Sequence, residues 1–283
     1  MIKRIFMLAL AAGMMAACGN PGNSEEREQV IDLSTEDEGI TAEPENDAPE
    51  VYEKGGLTIS PFADSEKFPD AKLMLNMPKE GMKQDGKKVS FDFGVEGYQL
   101  GAQSPEAGAN ELANSAKGQH IHLIMDNDPY SAHYEPKFDK EFEAGHHVAI
   151  AFLSRSFHES VKNPDAFKVF QFFIGQKAKD VQPMDLSRPM LFYSRPKGEY
   201  AGADAQKVLF DFYPVNAELK ADGYSVVATI NDSLEFEFDK WQPYVIEGLP
   251  MGENTINIKL VDAQGNAVDT KMNNVTRTFT LKP

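Results

Sequence analysis

The sequence predicts an all-β protein, two tandem immunoglobulin-like β-sandwiches behind an N-terminal signal and a disordered acidic tether. Three observations carry this. Beyond Gly55, short runs alternate apolar and polar residues and stop at Gly, Pro, Asn or Asp, as in Val89-Ser-Phe-Asp-Phe93, Val208-Leu-Phe-Asp-Phe212 and Ile256-Asn-Ile-Lys-Leu260. Period-two alternation places every second side chain on one face, the mark of a half-buried strand. No stretch sustains a helical period beyond about two turns. Many short strands at regular spacing indicate sandwiches.

The third observation is an internal repeat. Pro78-Lys-Glu-Gly81 answers to Pro196-Lys-Gly198, Val89–Phe93 to Val208–Phe212, and Ile121-His-Leu-Ile-Met-Asp126 to Val227-Ala-Thr-Ile-Asn-Asp232. Phe138-Asp-Lys140 answers to Phe238-Asp-Lys240, and Ala144-Gly145 to Met251-Gly252, each of the last two leading into an apolar strand. Blocks in one order at similar spacing imply two copies of one domain, meeting near Gln182 to Arg188. The expected division is therefore signal 1–17, tether 18–54, first sandwich 55–183 and second sandwich 184–283.

The N-terminus follows a secretion pattern. Lys3 and Arg4 form a basic start, Ile5 to Met15 an apolar run too short to span a bilayer, and Ala16-Ala17 the small residues a signal peptidase needs. The chain's only cysteine, Cys18, follows at once. That placement resembles the lipobox of bacterial lipoproteins, which implies that Cys18 becomes the lipidated N-terminus, with membrane attachment through its acyl chains. With Cys18 lipidated no thiol remains, which excludes disulfides, cysteine nucleophiles and thiolate metal sites.

The net charge is −16, and residues 19–54 hold twelve acidic residues against Arg27 and Lys54. That stretch has hardly any large apolar side chains and repeats Pro, Asn, Gly and Ser, the composition of an extended, self-repelling tether. Ser24-Glu25-Glu26 resembles the acidic tags that export some lipoproteins to the cell surface; a solvated linker reads equally well. No run of Lys and Arg occurs, so nucleic acid is excluded as a partner.

At Gly118-Gln-His-Ile-His-Leu-Ile-Met-Asp126, Asp128-Pro-Tyr-Ser-Ala-His-Tyr134, Ala151-Phe-Leu-Ser-Arg-Ser-Phe-His-Glu-Ser160 and Tyr193-Ser-Arg-Pro-Lys-Gly198, the chain resembles a family of Gram-negative lipoproteins often labelled "phosphopeptide-binding protein". Its first domain is similar to a histidine-rich bacterial domain family of unknown function. The resemblance implies this architecture and an outer-membrane location, facing periplasm or cell surface, and supplies no catalytic residues. Phosphopeptide recognition needs clustered arginines, and the sequence offers Arg155 and Arg195 in two Ser-Arg pairs.

All six histidines, at 120, 122, 133, 146, 147 and 158, fall in the first repeat. In the repeat alignment Val226 stands for His120 and Ala228 for His122, so the scaffold does not require the imidazoles. His120 and His122 are two apart on a strand and project from one face, a ready pair for Zn or Cu, which take neutral imidazole nitrogen. The expected further ligands are His133, Asp126 or His147, with His158 incidental in a polar loop. Asp126-Asn-Asp128-Pro reads as a turn, since it lacks the distal Glu of a calcium loop. Ser104 to Lys117 is long for a sandwich connection, either a functional loop or an insertion.

No Gly-x-Ser-x-Gly elbow, Walker loop, His-Glu-x-x-His helix or dinucleotide fingerprint occurs. The expected function is a non-enzymatic envelope binding protein holding a transition metal or small polar ligand, with an envelope protein as a further partner. A structural or adhesive module with core histidines, and a metal-dependent hydrolase, are the alternatives the residues leave open.

Overall fold

The computed structural model describes residues 50–62, 65–175 and 181–283. The signal, Cys18 and the tether up to residue 49 lie outside the described residues. The described part opens with a hairpin, β1 (Tyr52–Lys54) and β2 (Leu57–Pro61). Then come β3 (Lys72–Met77), β4 (Met82–Gln84), β5 (Lys88–Glu96), β6 (His120–Met125), β7 (Ser131–His133), β8 (Lys137–Glu141), β9 (Gly145–Ser154) and β10 (Phe167–Ile174). The second set is β11 (Met190–Arg195), β12 (Gly198–Ala201), β13 (Lys207–Val215), β14 (Ser225–Ile230), β15 (Leu234–Phe238), β16 (Tyr244–Glu247), β17 (Gly252–Val261) and β18 (Val275–Lys282).

Each set folds as an immunoglobulin-like sandwich. In the first, the sheet β3-β5-β8 faces the sheet β4-β10-β9-β6-β7, with β4 parallel to the last strand β10. In the second, β12-β18-β17-β14-β15 has the same order, with β12 parallel to β18, and it faces β11-β13-β16. The alternation read from sequence does what it predicts: Val89, Phe91 and Phe93 of β5 point into the first core, and Phe210 and Phe212 of β13 with Ile256, Ile258 and Leu260 of β17 into the second.

Three expectations need correction. The hairpin β1–β2 does not divide between tether and first sandwich; β2 pairs with β16, extending a sheet of the second sandwich to five strands. The hairpin covers the edge β16 would otherwise expose. The fourth repeat block matches the wrong strands, because Phe138 lies on β8, which pairs with β5, whereas Phe238 ends β15, which pairs with β14. The third block is off by one residue. Ile121, Leu123 and Met125 fill the first core where Val226, Ala228 and Ile230 fill the second, so His120 corresponds to Ser225 and His122 to Val227. A slip of one residue exchanges the faces of a strand; the two histidines therefore point away from their own core.

They point toward the other sandwich. Both faces of β6 are buried, which is why its sequence runs His-Ile-His-Leu-Ile-Met without alternation. A third core joins the sandwiches, with Ile124, Val148, Ile150 and Phe152 packed against Met190, Phe192, Tyr213 and Val215. The Phe152 and Tyr213 rings stack at 5.0 Å. Beside it Asn127 acts as a clasp: its Nδ2 donates to Leu191 O at 2.8 Å, and Tyr193 N donates to its Oδ1 at 3.0 Å. Arg277 Nη2 donates to Asn127 O at 2.9 Å. The two sandwiches share this core, and the described residues form one compact unit.

Candidate metal centre

At the edge of this shared core the sequence brings three imidazoles together. Gly118 has φ +83°, and a Cβ there would lie 2.4 Å from the Gly101 and Ala102 carbonyl oxygens, so only glycine fits this entry to β6. Its carbonyl oxygen accepts from His120 Nδ1 at 2.8 Å. That bond places the proton of the neutral ring on Nδ1 and leaves Nε2 with a bare lone pair. His120 Nε2 lies 2.8 Å from His122 Nε2 and 3.2 Å from His158 Nδ1. All three nitrogens fall within 4.8 Å of one another.

Parity on the strands decides which histidines meet. Residues 120 and 122 face the second sandwich. In the antiparallel pairing of β6 with β7, His133 sits opposite Ile121, so it shares the first core's side. There its ring stacks on Phe138 at 3.4 Å, and its Nε2 is 2.8 Å from Ser131 Oγ. His147 alternates with Val148 and Ile150 and so also faces away from the triad; its Nδ1 donates to Asp126 Oδ2 at 2.6 Å and its Nε2 to Glu143 O at 2.9 Å. His146 bonds Gln171 Oε1 at 2.7 Å. The expected third ligands His133, His147 and Asp126 are thus engaged elsewhere, and the incidental His158 takes their place.

His158 reaches the site through chain geometry. Ser154, the last residue of β9, pairs with His120, so the turn after β9 must begin beside that ring. The turn closes with Arg155 N donating to Glu159 O at 2.9 Å and carries His158 at φ +72°. The register of β9 on β6 was the signal for this residue, and it is not visible before strand pairing is known. Tyr130 was missed for the same reason. It precedes β7 on the parity of Ala132, opposite His122, and its ring stacks on His122 at 3.5 Å.

The site is dry. His120 and His122 have no exposed surface. Burial, the largest cause, holds His120 down to about 4, places His122 well below the ordinary imidazole range and lowers His158 as well. Nearby Arg195 and Lys197 act in the same direction. The rings are neutral at physiological pH, the form in which imidazole coordinates. His147 moves the other way, its hydrogen bond to Asp126 raising it.

Other features of the sequence resolve as structure. Asp126 and Asn127 both have positive φ, at 51° and 62°, and form the tight turn after β6. Leu112 of the long loop packs with Phe157, Leu209 and Val245, tying the loop to the second sandwich. Arg155 pairs with Glu159 at 2.9 Å and Arg195 donates to Tyr200 Oη at 2.7 Å; both are buried and make no arginine cluster at the surface. A cavity of about 410 Å³ lined by Phe68, Arg155, Glu159, Lys162 and Trp241 does not include the histidine triad.

No protein-family model matches this chain, and no curated protein is similar to it in sequence. Among solved structures it is similar to the fibronectin(III)-like modules of Clostridium thermocellum CbhA, at 11% identity and TM-score 0.26, covering 74% of this chain and 94% of that one. It is also similar to SGBP-B of a Bacteroides ovatus mixed-linkage glucan utilization locus, solved in complex with a mixed-linkage heptasaccharide, at 10% identity and TM-score 0.21, covering 74% of this chain and 47% of that one. A third is the tandem V-type regions of the chitin-binding protein VCBP3, at 7% identity and TM-score 0.23, covering 76% and 100%.

Proposed function

We propose that this protein is a non-enzymatic binding lipoprotein of the outer membrane, anchored through Cys18, that holds one transition metal ion, Zn or Cu, on His120 Nε2, His122 Nε2 and His158 Nδ1. The observation that carries the metal reading is the convergence of three imidazole nitrogens within 4.8 Å of one another. His120 Nε2 has one lone pair and two ring nitrogens within 3.2 Å. It accepts a hydrogen bond from one of them, so the two contacts cannot both be hydrogen bonds without a cation. A metal ion accepts all three lone pairs at once, and ligand distances of about 2.0–2.1 Å make tetrahedral edges of roughly 3.3 Å, close to the 2.8 and 3.2 Å that separate His120 Nε2 from its two neighbours.

One of the three rings has an orienting hydrogen bond on its second nitrogen. Gly118 O orients His120, and Phe152 meets the His122 ring edge-on at 5.2 Å. The test is zinc uptake by the purified protein against a competing chromophoric chelator. Wild type should bind one equivalent, and His158→Ala should weaken it at least about tenfold, while His133→Ala and His147→Ala leave affinity within about twofold. Equal affinity in His158→Ala and wild type would refute the assignment.

A further inference from the structure

We propose that Tyr130 Oη is the fourth ligand of this ion, coordinated as phenolate, an inference that rests on the three-histidine reading above. Tyr130 Oη lies 3.2 Å from His158 Nδ1, itself 3.2 Å from His120 Nε2, which is 2.8 Å from His122 Nε2. Three successive donor separations thus fall near the roughly 3.3 Å edge of a tetrahedron around a metal with bonds of about 2.0–2.1 Å. The Tyr130 ring stacks on His122 with centroids 3.5 Å apart and an interplanar angle of 17°. Tyr130 is only 3% exposed, so it is held there and does not sample solvent.

Charge supplies the second, independent argument. The triad contains no carboxylate, and its three rings are neutral ligands. Lys197 Nζ is 3.8 Å from the Tyr130 ring centroid and the Arg195 guanidinium carbon 5.3 Å from it. Among the described residues neither forms an ion pair with an Asp or Glu: Arg195 donates to Tyr200 Oη and Lys197 to Tyr130 O. A divalent ion on three neutral ligands beside these two cations would be a buried, uncompensated charge, which is costly. A phenolate answers both sides. On coordination the Tyr130 O–H bond breaks, the metal–oxygen bond forms and the proton leaves to solvent. The resulting anion neutralises one charge of the ion and faces Arg195 and Lys197 across its own ring. Among the described residues no carboxylate joins the triad, and Tyr134, 5.0 Å from His120 by ring centroids, bonds through its hydroxyl to Ser115 Oγ.

The experiment is a titration of the full chain with Cu(II), read by visible absorption and by metal content, on wild type and the near-isosteric Tyr130→Phe. Wild type should take up one equivalent and develop a phenolate-to-copper charge-transfer band. Tyr130→Phe should lack the band and bind at least about tenfold more weakly, the scale of losing one supporting group at a metal site. Wild type that takes up one equivalent without the band overturns the tyrosine ligand and leaves the histidine site standing, and this readout needs no variant. Unchanged affinity and spectrum in Tyr130→Phe do the same. Wild type that takes up no copper overturns both readings.

Discussion

Acid should destabilise this protein through its buried imidazoles, and His120 gives the magnitude. The unfolded chain binds a proton at this ring near the ordinary value of about 6.5, whereas burial holds the folded ring at about 4. Between these values the unfolded state carries more protons, so stability falls as pH falls. Integrated from pH 7 to pH 5, His120 alone removes about 2 kcal/mol, using 1.36 kcal/mol per unit. His122 and His158 are lowered too and add in the same direction. Two groups oppose it. His147 is raised, so its stabilisation is complete below the ordinary histidine value and is lost as pH rises through its folded value. Glu159, raised chiefly by burial, is likewise relieved as pH falls. The comparison that isolates the triad is therefore the pH slope of wild type against His120→Gln, by urea unfolding with chelator present. The variant should lose at least about 2 kcal/mol less than wild type between pH 7 and 5. Parallel curves for the two proteins would refute the argument.

Further outcomes follow from the shared core and the N-terminus. Because Phe152, Phe192 and Tyr213 are buried between the sandwiches, thermal unfolding of residues 50–283 should be a single transition. A fragment of 184–283 alone, lacking β1–β2 and exposing that core, should not fold cooperatively; two separated transitions, or a stable fragment, would contradict this. Phe152→Ala should cost about 3–5 kcal/mol in denaturant unfolding, the range for a buried aromatic, and unchanged stability would deny its place in the core. Cys18→Ser should move the protein from the membrane fraction to the soluble one, and a membrane-bound variant would exclude lipid anchoring.

How much of this was legible in the sequence differs between fold and site. The sandwiches were legible because β5 and β17 each bury one face, and half-burial writes itself as alternation. β6 is covered on both sides and writes no alternation, so its face assignment slipped by one residue and set His120 against Val226 rather than Ser225. The pair His120 and His122 was legible because spacing of two on a strand fixes a shared face. Its partners were not. His133 and His147 are close in sequence but of the wrong parity, while His158 and Tyr130 arrive through the register of β9 and β7 on β6. The hairpin β1–β2 was misplaced because its partner β16 lies almost two hundred residues away, and no local pattern records such a pairing.

The central claim is that one ion is shared by His120, His122 and His158. A crystal of the zinc-loaded protein, measured across the zinc absorption edge, tests it most directly. The expected result is one anomalous peak between the sandwiches, about 2.0–2.1 Å from His120 Nε2, His122 Nε2 and His158 Nδ1. A peak on His133 or on the His147–Asp126 pair, or none in zinc-loaded crystals, would contradict it.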